Sequence, residues 1–196
     1  MTIEEHYKEY FKLFRDHAPK EMVEWGGYQK GEPTGMASSL ESILAFAKLV
    51  KDENATIINA GAGASSYILR AIFTNVICTD PDLEYLKVVK NICRIAGFNT
   101  DNFQTGLAQG DYCYYDYGNI ERIPEMQSFI DSTKYALYID DCDTRPECKE
   151  MRDYVYSLPY KVEDCKEACD EYGRWGVILK KGLFAQVRDI INSVNK

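Results

Sequence analysis

The sequence is short of positive charge, of histidine and of long apolar runs, and each shortage removes a class of function. Lys and Arg number 23 against 31 Asp and Glu, giving a net charge of −8 at pH 7. Binding a polyanion requires a basic face that neutralises phosphates, so nucleic acid is not an expected partner. No apolar run approaches the roughly 20 residues that span a bilayer, and the start MTIEEHYKEYF has neither a basic flank nor an apolar signal core. The expectation is a soluble, cytoplasmic protein with no membrane partner. The 2 histidines, His6 and His17, share the first amphipathic segment, where they are expected to face solvent. A histidine base would need that segment to fold over a site formed elsewhere. The 7 cysteines include no C-x-x-C pair, and Cys165 and Cys169 have no His or Cys companion, so reduced, mostly buried thiols are expected.

No repeat, low-complexity tract or Pro/Gly/Ser-rich linker divides the 196 residues, so one domain is expected. Its parts are N-terminal helices and a lid loop over 1–50, a core over 55–182 and a C-terminal helix over 183–196. IEEHYKEYFKLFRDH places Tyr7, Tyr10, Phe11 and Phe14 on one side of a helix. The glycine-rich EWGGYQKGEPTGM reads as an irregular loop with Trp25 and Tyr28 as aromatic anchors. SSLE offers a capping box, Ser38 with Glu41, that opens a helix to about Lys51. From there short apolar runs alternate with helical patterns: TIINA then SSYILRAIF, NVICTD then LEYLKVVKNICRIAG, a weak strand at DNFQTG, YCYYD then IPEMQSFIDS, and YALYID. That alternation is the signature of a parallel sheet covered by helices on both faces. Thr144 with Glu147 forms a second capping box, ahead of a helix over 146–157. The end differs, because YKVEDCKEAC and WGVILKK are joined by a short turn and read as antiparallel strands.

The stretch IINAGAGASSYIL, from Ile57 to Leu69, thins to small residues directly after a strand. Gly61 and Gly63 permit close backbone approach, and Ser65 and Ser66 can cap the following helix while facing a polar ligand. About twenty residues on, at the end of the next strand, stands Asp80, whose carboxylate suits a ribose diol. A tight turn alone would also explain the glycines; the added strand, helix and terminal Asp favour a nucleoside site in which an adenosine-containing cofactor fills the space. The dinucleotide pattern G-x-G-x-x-G is broken by Ser66, which leaves an NAD-dependent oxidoreductase as the weaker reading.

IINAGAGASS and VICTDPD resemble the first two motifs of the class I S-adenosylmethionine-dependent methyltransferases, over roughly residues 36 to 182. The resemblance implies an α/β, Rossmann-like sheet of seven strands in the order 3-2-1-4-5-7-6 with strand 7 antiparallel. It also implies S-adenosyl-L-methionine bound across Asn59, Gly61, Ala62, Gly63, Ser65, Ser66, Asp80 and Pro81. Asn59 stands where that family has an acid for the methionine amino group; it can accept through its carbonyl, but without charge.

Two further strand ends carry acids, Asp116 in CYYDYG and Asp140 with Asp141 in YIDDCDTRPE. Neighbouring strand ends lie about 5 Å apart, so the three carboxylates could converge and repel. A divalent cation would remove the conflict, and oxygen ligands favour Mg²⁺ or Ca²⁺. YIDDCDTRPECKEMRDYV resembles the metal-binding region of the macrocin O-methyltransferase group, which implies Mg²⁺ on Asp116, Asp140 and Asp141, with Asp116 and Asp140 serving catalysis. Capping or solvated acids, and a direct carboxylate base, remain alternatives. The expected activity is methyl transfer, at oxygen, to a small polar molecule; a regulatory module that binds the nucleoside without chemistry is the rival, and a homo-oligomer is compatible with either.

Overall fold

In the computed structural model, residues 1–25, 37–117 and 122–182 are described. The expected loop around Tyr28, the Trp25 side chain and the expected C-terminal helix lie outside the described residues. The chain order is α1 (Ile3–His17), α2 (Lys20–Trp25), α3 (Leu40–Leu49), β1 (Ile57–Ala60), α4 (Ala64–Ile72), β2 (Val76–Thr79) and α5 (Leu83–Ile95). It continues with β3 (Phe103–Gln104), β4 (Gly110–Tyr115), α6 (Arg122–Ser132), β5 (Thr133–Ile139), α7 (Lys149–Ser157), β6 (Lys161–Asp164) and β7 (Val177–Lys180).

The strands form one sheet in the order β3-β2-β1-β4-β5-β7-β6, with β7 antiparallel to both β5 and β6, as expected. The remaining pairs are parallel, and their in-register matches include Asn59 with Cys78 and with Tyr114. β1 is buried along its whole length because helices cover both sides. Its neighbours mark the place where the chain's direction of travel across the sheet reverses: β2 and β3 lie to one side, β4 and β5 to the other.

Alternation sorts the core. Ile57, Tyr112, Tyr114 and Tyr138 pack in one apolar cluster with α1, α3, α4 and α5, whereas Ile58, Cys113, Tyr115 and Leu137 pack in the other with α6 and α7. The α1 helix opens on Thr2, whose hydroxyl accepts from the Glu5 amide at 3.1 Å while Glu5 returns a bond to the Thr2 amide at 2.7 Å. It buries Tyr7, Tyr10, Phe11 and Phe14, each burial being worth about 2 kcal/mol. Tyr10 meets Tyr67 of α4 at 5.7 Å between ring centroids, and Phe14 meets Tyr85 of α5 at 6.1 Å.

Several local expectations are corrected. His6 is half-buried, not solvent-facing, because its ring packs against Tyr67 and Phe98. Ser39, not Ser38, caps α3, accepting from the Ser42 amide at 3.0 Å. The turn before α7 is held by Asp143 rather than Thr144, through the Arg145 amide at 2.7 Å, and a 3-10 turn over Pro146–Cys148 precedes the helix. The α2 helix was not legible, and β6 stops at Asp164 before a second 3-10 turn, Lys166–Ala168. All seven thiols are free, with Cys169 exposed and the other six buried. Among the described residues no helix is long and apolar enough to cross a membrane.

Candidate functional site

The β1–α4 turn sits at the carboxyl end of the central strand, where open parallel sheets bind ligands. Its first glycine answers to the protein itself. Gly61 has φ +97°, and a Cβ there would lie 2.2 Å from the carbonyl oxygen of Asp116, so the turn is pressed against the end of β4. Gly63 differs: its φ of 160° is extended backbone, and a Cβ would meet the Tyr85 hydroxyl at 3.6 Å, an ordinary contact. Gly61 is therefore required by chain packing, whereas Gly63 would accept a Cβ at ordinary contact distance.

Ser65 and Ser66 are wholly buried and serve the turn rather than facing outward. Ser66 Oγ accepts from the Gly63 amide at 3.3 Å and from Asn59 Nδ2 at 3.0 Å; Ser65 Oγ donates to the Gly61 carbonyl at 3.5 Å. Asn59 also donates to the Gly61 carbonyl at 2.7 Å, and its Oδ1 is a buried acceptor with no partner. Such an atom calls for a donor. Asp80 faces the turn: Oδ2 accepts from the Ala62 amide and Oδ1 from the Asp82 amide, both at 2.8 Å. Each oxygen keeps further lone pairs for a diol. Burial pushes the Asp80 carboxyl above its ordinary value, against the pull of those two amides. Pro81 is exposed beside it, ahead of Asp82, which caps α5. An unpartnered acceptor, a glycine with no close backbone neighbour and a carboxylate with spare lone pairs suit an adenosyl group bearing an ammonium.

The next two strand ends carry the acids. Asp116 prolongs β4 through its amide to the Ala60 carbonyl at 2.7 Å, and its Oδ2 accepts from Ser38 Oγ at 2.5 Å. Asp140, only 5% exposed, accepts from Ser42 Oγ at 2.9 Å and from the Tyr114 hydroxyl at 2.8 Å. Behind Ser42 lies Tyr138, whose hydroxyl donates to Ser42 Oγ at 3.1 Å and accepts from the Gly176 amide at 3.2 Å. The Tyr114 and Tyr138 rings stack at 5.5 Å with 4° between their planes. Desolvation, then the charges of Asp140 and Asp116, raise the Tyr114 hydroxyl well above its ordinary value, so it remains a donor.

Asp141 takes a different direction. At φ +49° it accepts from Arg145 Nη2 at 3.1 Å, and Arg145 also grips buried Asp143 at 2.8 Å. Asp116, Asp140 and Asp141 thus each have donors of their own, and among the described residues no group of three His, Cys, Asp or Glu could hold a metal ion. The donor set does not fit the expected Mg²⁺.

Residues not anticipated at this site are Ser38, Ser42 and Arg174. Arg174 is 8% exposed, pairs with Asp170 at 2.6 Å and donates to the Ala37 carbonyl at 3.1 Å. Tyr7 of α1 reaches the next carbonyl, Ser38, at 2.7 Å. Ser38 was read only as a helix cap, and Ser42 was not singled out. Their i, i+4 spacing opposite two strand-end acids was the available signal.

No family model and no curated protein sequence matches the chain. Solved structures do. An O-methyltransferase from Bacillus cereus in complex with SAH aligns at TM-score 0.57 and 13% identity, over 91% of this chain and 99% of that one. The O-methyltransferase TomG from Streptomyces achromogenes, involved in tomaymycin synthesis and in complex with SAM, aligns at 0.58 and 11%, over 93% and 100%. An rRNA methylase from Streptococcus thermophilus aligns at 0.54 and 16%, over 70% and 92%. At these identities the likeness is one of architecture, and it coincides with the strand order and the site at the end of β1. The chain has the fold of the class I S-adenosylmethionine-dependent methyltransferases.

Proposed function

We propose that the protein is an enzyme that transfers a methyl group from S-adenosylmethionine to an oxygen of a small polar molecule. The observation that carries this reading is Asp80 facing the backbone of the β1–α4 turn, with the acids Asp116 and Asp140 at the ends of β4 and β5, one and two strands beyond β1. The cofactor, when bound, supplies a methyl group on a positively charged sulfur. Asp80 accepts the ribose hydroxyls, the open side of Gly63 receives the adenosyl group, and Asn59 Oδ1 accepts from the ammonium. Asp116 and Asp140 orient the acceptor hydroxyl and take its proton, since aligning acceptor, methyl and sulfur supplies much of the acceleration in such a displacement. The net charge of −8 favours a small acceptor over nucleic acid.

One observation favours a second reading. The neutral Asn59 and the distance in sequence of both histidines from the site suit a module that binds the cofactor without turnover.

Calorimetric titration of S-adenosylmethionine into the wild type and Asp80→Asn tests the binding. Loss of a charged acceptor weakens affinity by about 10- to 100-fold. Because burial lifts the Asp80 carboxyl, wild-type affinity falls on acidification at a higher pH than an exposed carboxylate would give. Equal affinities for the two proteins refute the site, and tight binding without turnover over a broad acceptor panel selects the second reading.

A further inference from the structure

The side chain near the end of β1 meets the turn as a donor. Asn59 is wholly buried, and its Nδ2 lies 2.7 Å from the Gly61 carbonyl oxygen and 3.0 Å from Ser66 Oγ. A backbone carbonyl has no hydrogen to give, so the atom facing it is the amide nitrogen and the direction of the whole amide follows. Both hydrogens of that nitrogen are thereby used. Ser66 Oγ takes a second hydrogen from the Gly63 amide at 3.3 Å and lies within hydrogen-bond reach of the Cys78 thiol, on the strand position that pairs with Asn59. Gly61 sits at φ +97°, its own amide held by the Thr79 carbonyl at 2.9 Å. Asn59 thus ties the first residue of the turn to the first turn of α4, and the same serine hydroxyl holds Gly63 between them.

An acid cannot make these bonds. A carboxylate at position 59 would set oxygen against the Gly61 carbonyl, where both atoms only accept, and even when protonated it has a single hydrogen for the two acceptors. Leaving a buried acceptor without a donor costs more than the bond itself contributes. The surroundings of residue 59 are therefore complementary to a neutral amide, although a negative charge would suit the ammonium of the proposed cofactor better. What remains for a ligand is Oδ1, the buried acceptor left over by the two donated bonds.

We propose that Asn59 is a positioning residue: by donating to Gly61 and Ser66 it fixes the shape of the β1–α4 turn, and that shape, rather than charge at the strand end, is its main contribution to cofactor binding. The inference rests on the proposed function for the identity of the ligand and goes beyond it in the role assigned to the amide nitrogen.

The experiment compares the full-length wild type with Asn59→Ala and Asn59→Asp through two measurements. In the first, amide hydrogen exchange is followed by NMR without ligand. The Gly63 amide exchanges about tenfold faster in both variants, while the amides of β5 and β7 keep their wild-type protection. In the second, S-adenosylmethionine and 5′-methylthioadenosine, which carries the nucleoside and the sulfur without the amino-acid arm, are titrated calorimetrically. Loss of the turn's shape weakens both ligands alike, by about tenfold in each variant. A role confined to contact with the arm would instead weaken S-adenosylmethionine alone in Asn59→Ala, and a role for charge would tighten it in Asn59→Asp. Either of those results overturns the proposal, and so does unchanged exchange at Gly63. If neither Asn59 variant folds, Ser66→Ala, which removes one acceptor and leaves Asn59 in place, is read in the same two ways. A wild type that binds neither nucleoside refutes the proposed function, and exchange at Gly63 still decides whether Asn59 holds the turn.

Discussion

Substituting each of the two turn glycines by alanine separates what the fold needs from what a ligand needs. In Gly61→Ala the new methyl meets the Asp116 carbonyl oxygen at 2.2 Å and its carbon at 2.6 Å, both backbone atoms. Reaching the 3.4 Å of ordinary contact requires a movement of about 1.2 Å. Both sides of that gap are tied. Gly61 donates to the Thr79 carbonyl at 2.9 Å and Asp116 to the Ala60 carbonyl at 2.7 Å. Weakening these two bonds costs about 1 kcal/mol each, and holding an alanine in the left-handed region adds about 1 to 2 kcal/mol. The expected loss is about 3 kcal/mol, or roughly 10 °C in Tm for a domain of this size. Gly63→Ala carries neither penalty, so its stability stays within about 0.5 kcal/mol of wild type. Its methyl instead occupies the open side of the turn, and S-adenosylmethionine affinity falls by about tenfold. Urea unfolding and calorimetry on both variants give the four numbers. A Gly61→Ala protein as stable as wild type refutes the packing argument, and an unchanged affinity in Gly63→Ala refutes the placement of the ligand.

Two further outcomes follow from groups outside that turn. Asp143→Ala leaves Arg145 with Asp141, Glu147 and the Cys148 sulfur, and because Arg145 is part-exposed the expected cost is about 2 kcal/mol, below that of breaking a fully buried pair, read as a lower urea midpoint. Burial works against the Asp143 charge, but Arg145 and the nearby amides outweigh it and hold the carboxyl below its ordinary value. Its stabilising contribution is therefore present at neutral pH and is lost as pH falls through that lowered value; an Asp143→Ala penalty that persists unchanged in strong acid contradicts this. A thiol reagent under native conditions should label Cys169 alone quickly and all seven cysteines in denaturant; a second fast thiol in the native protein contradicts the burial of the other six.

Periodicity made most of the fold legible. A strand buried on both faces must be largely apolar, so IINA and VICT stand out despite Asn59 and Thr79, and the seven-strand order followed from motif resemblance rather than from any pairing signal. What failed was local. Ser38 and Ser39 offer the same hydroxyl one residue apart, and tertiary contact decides between them: Asp116 claims Ser38, leaving Ser39 to cap the helix. His6 carries no pattern that distinguishes exposure from packing, and only the docking of α1 on α4 brings Tyr67 against it. Tyr114 and Tyr138 alternate along their strands as core residues do, but their hydroxyls also form the polar end of that core, which alternation does not encode.

The carboxylates show how far a spacing argument reaches. β4 and β5 pair in register up to Tyr115 with Ile139, so Asp116 and Asp140 end neighbouring strands, as the spacing implies. Ser38 bonds Asp116, Ser42 and Tyr114 bond Asp140, and the Arg174 guanidinium acts electrostatically on Asp140 and Asp141. Motif spacing fixes where the charge lies along the chain. Which donors meet it depends on a helix start some 75 residues upstream of Asp116, and only the folded chain brings the two together.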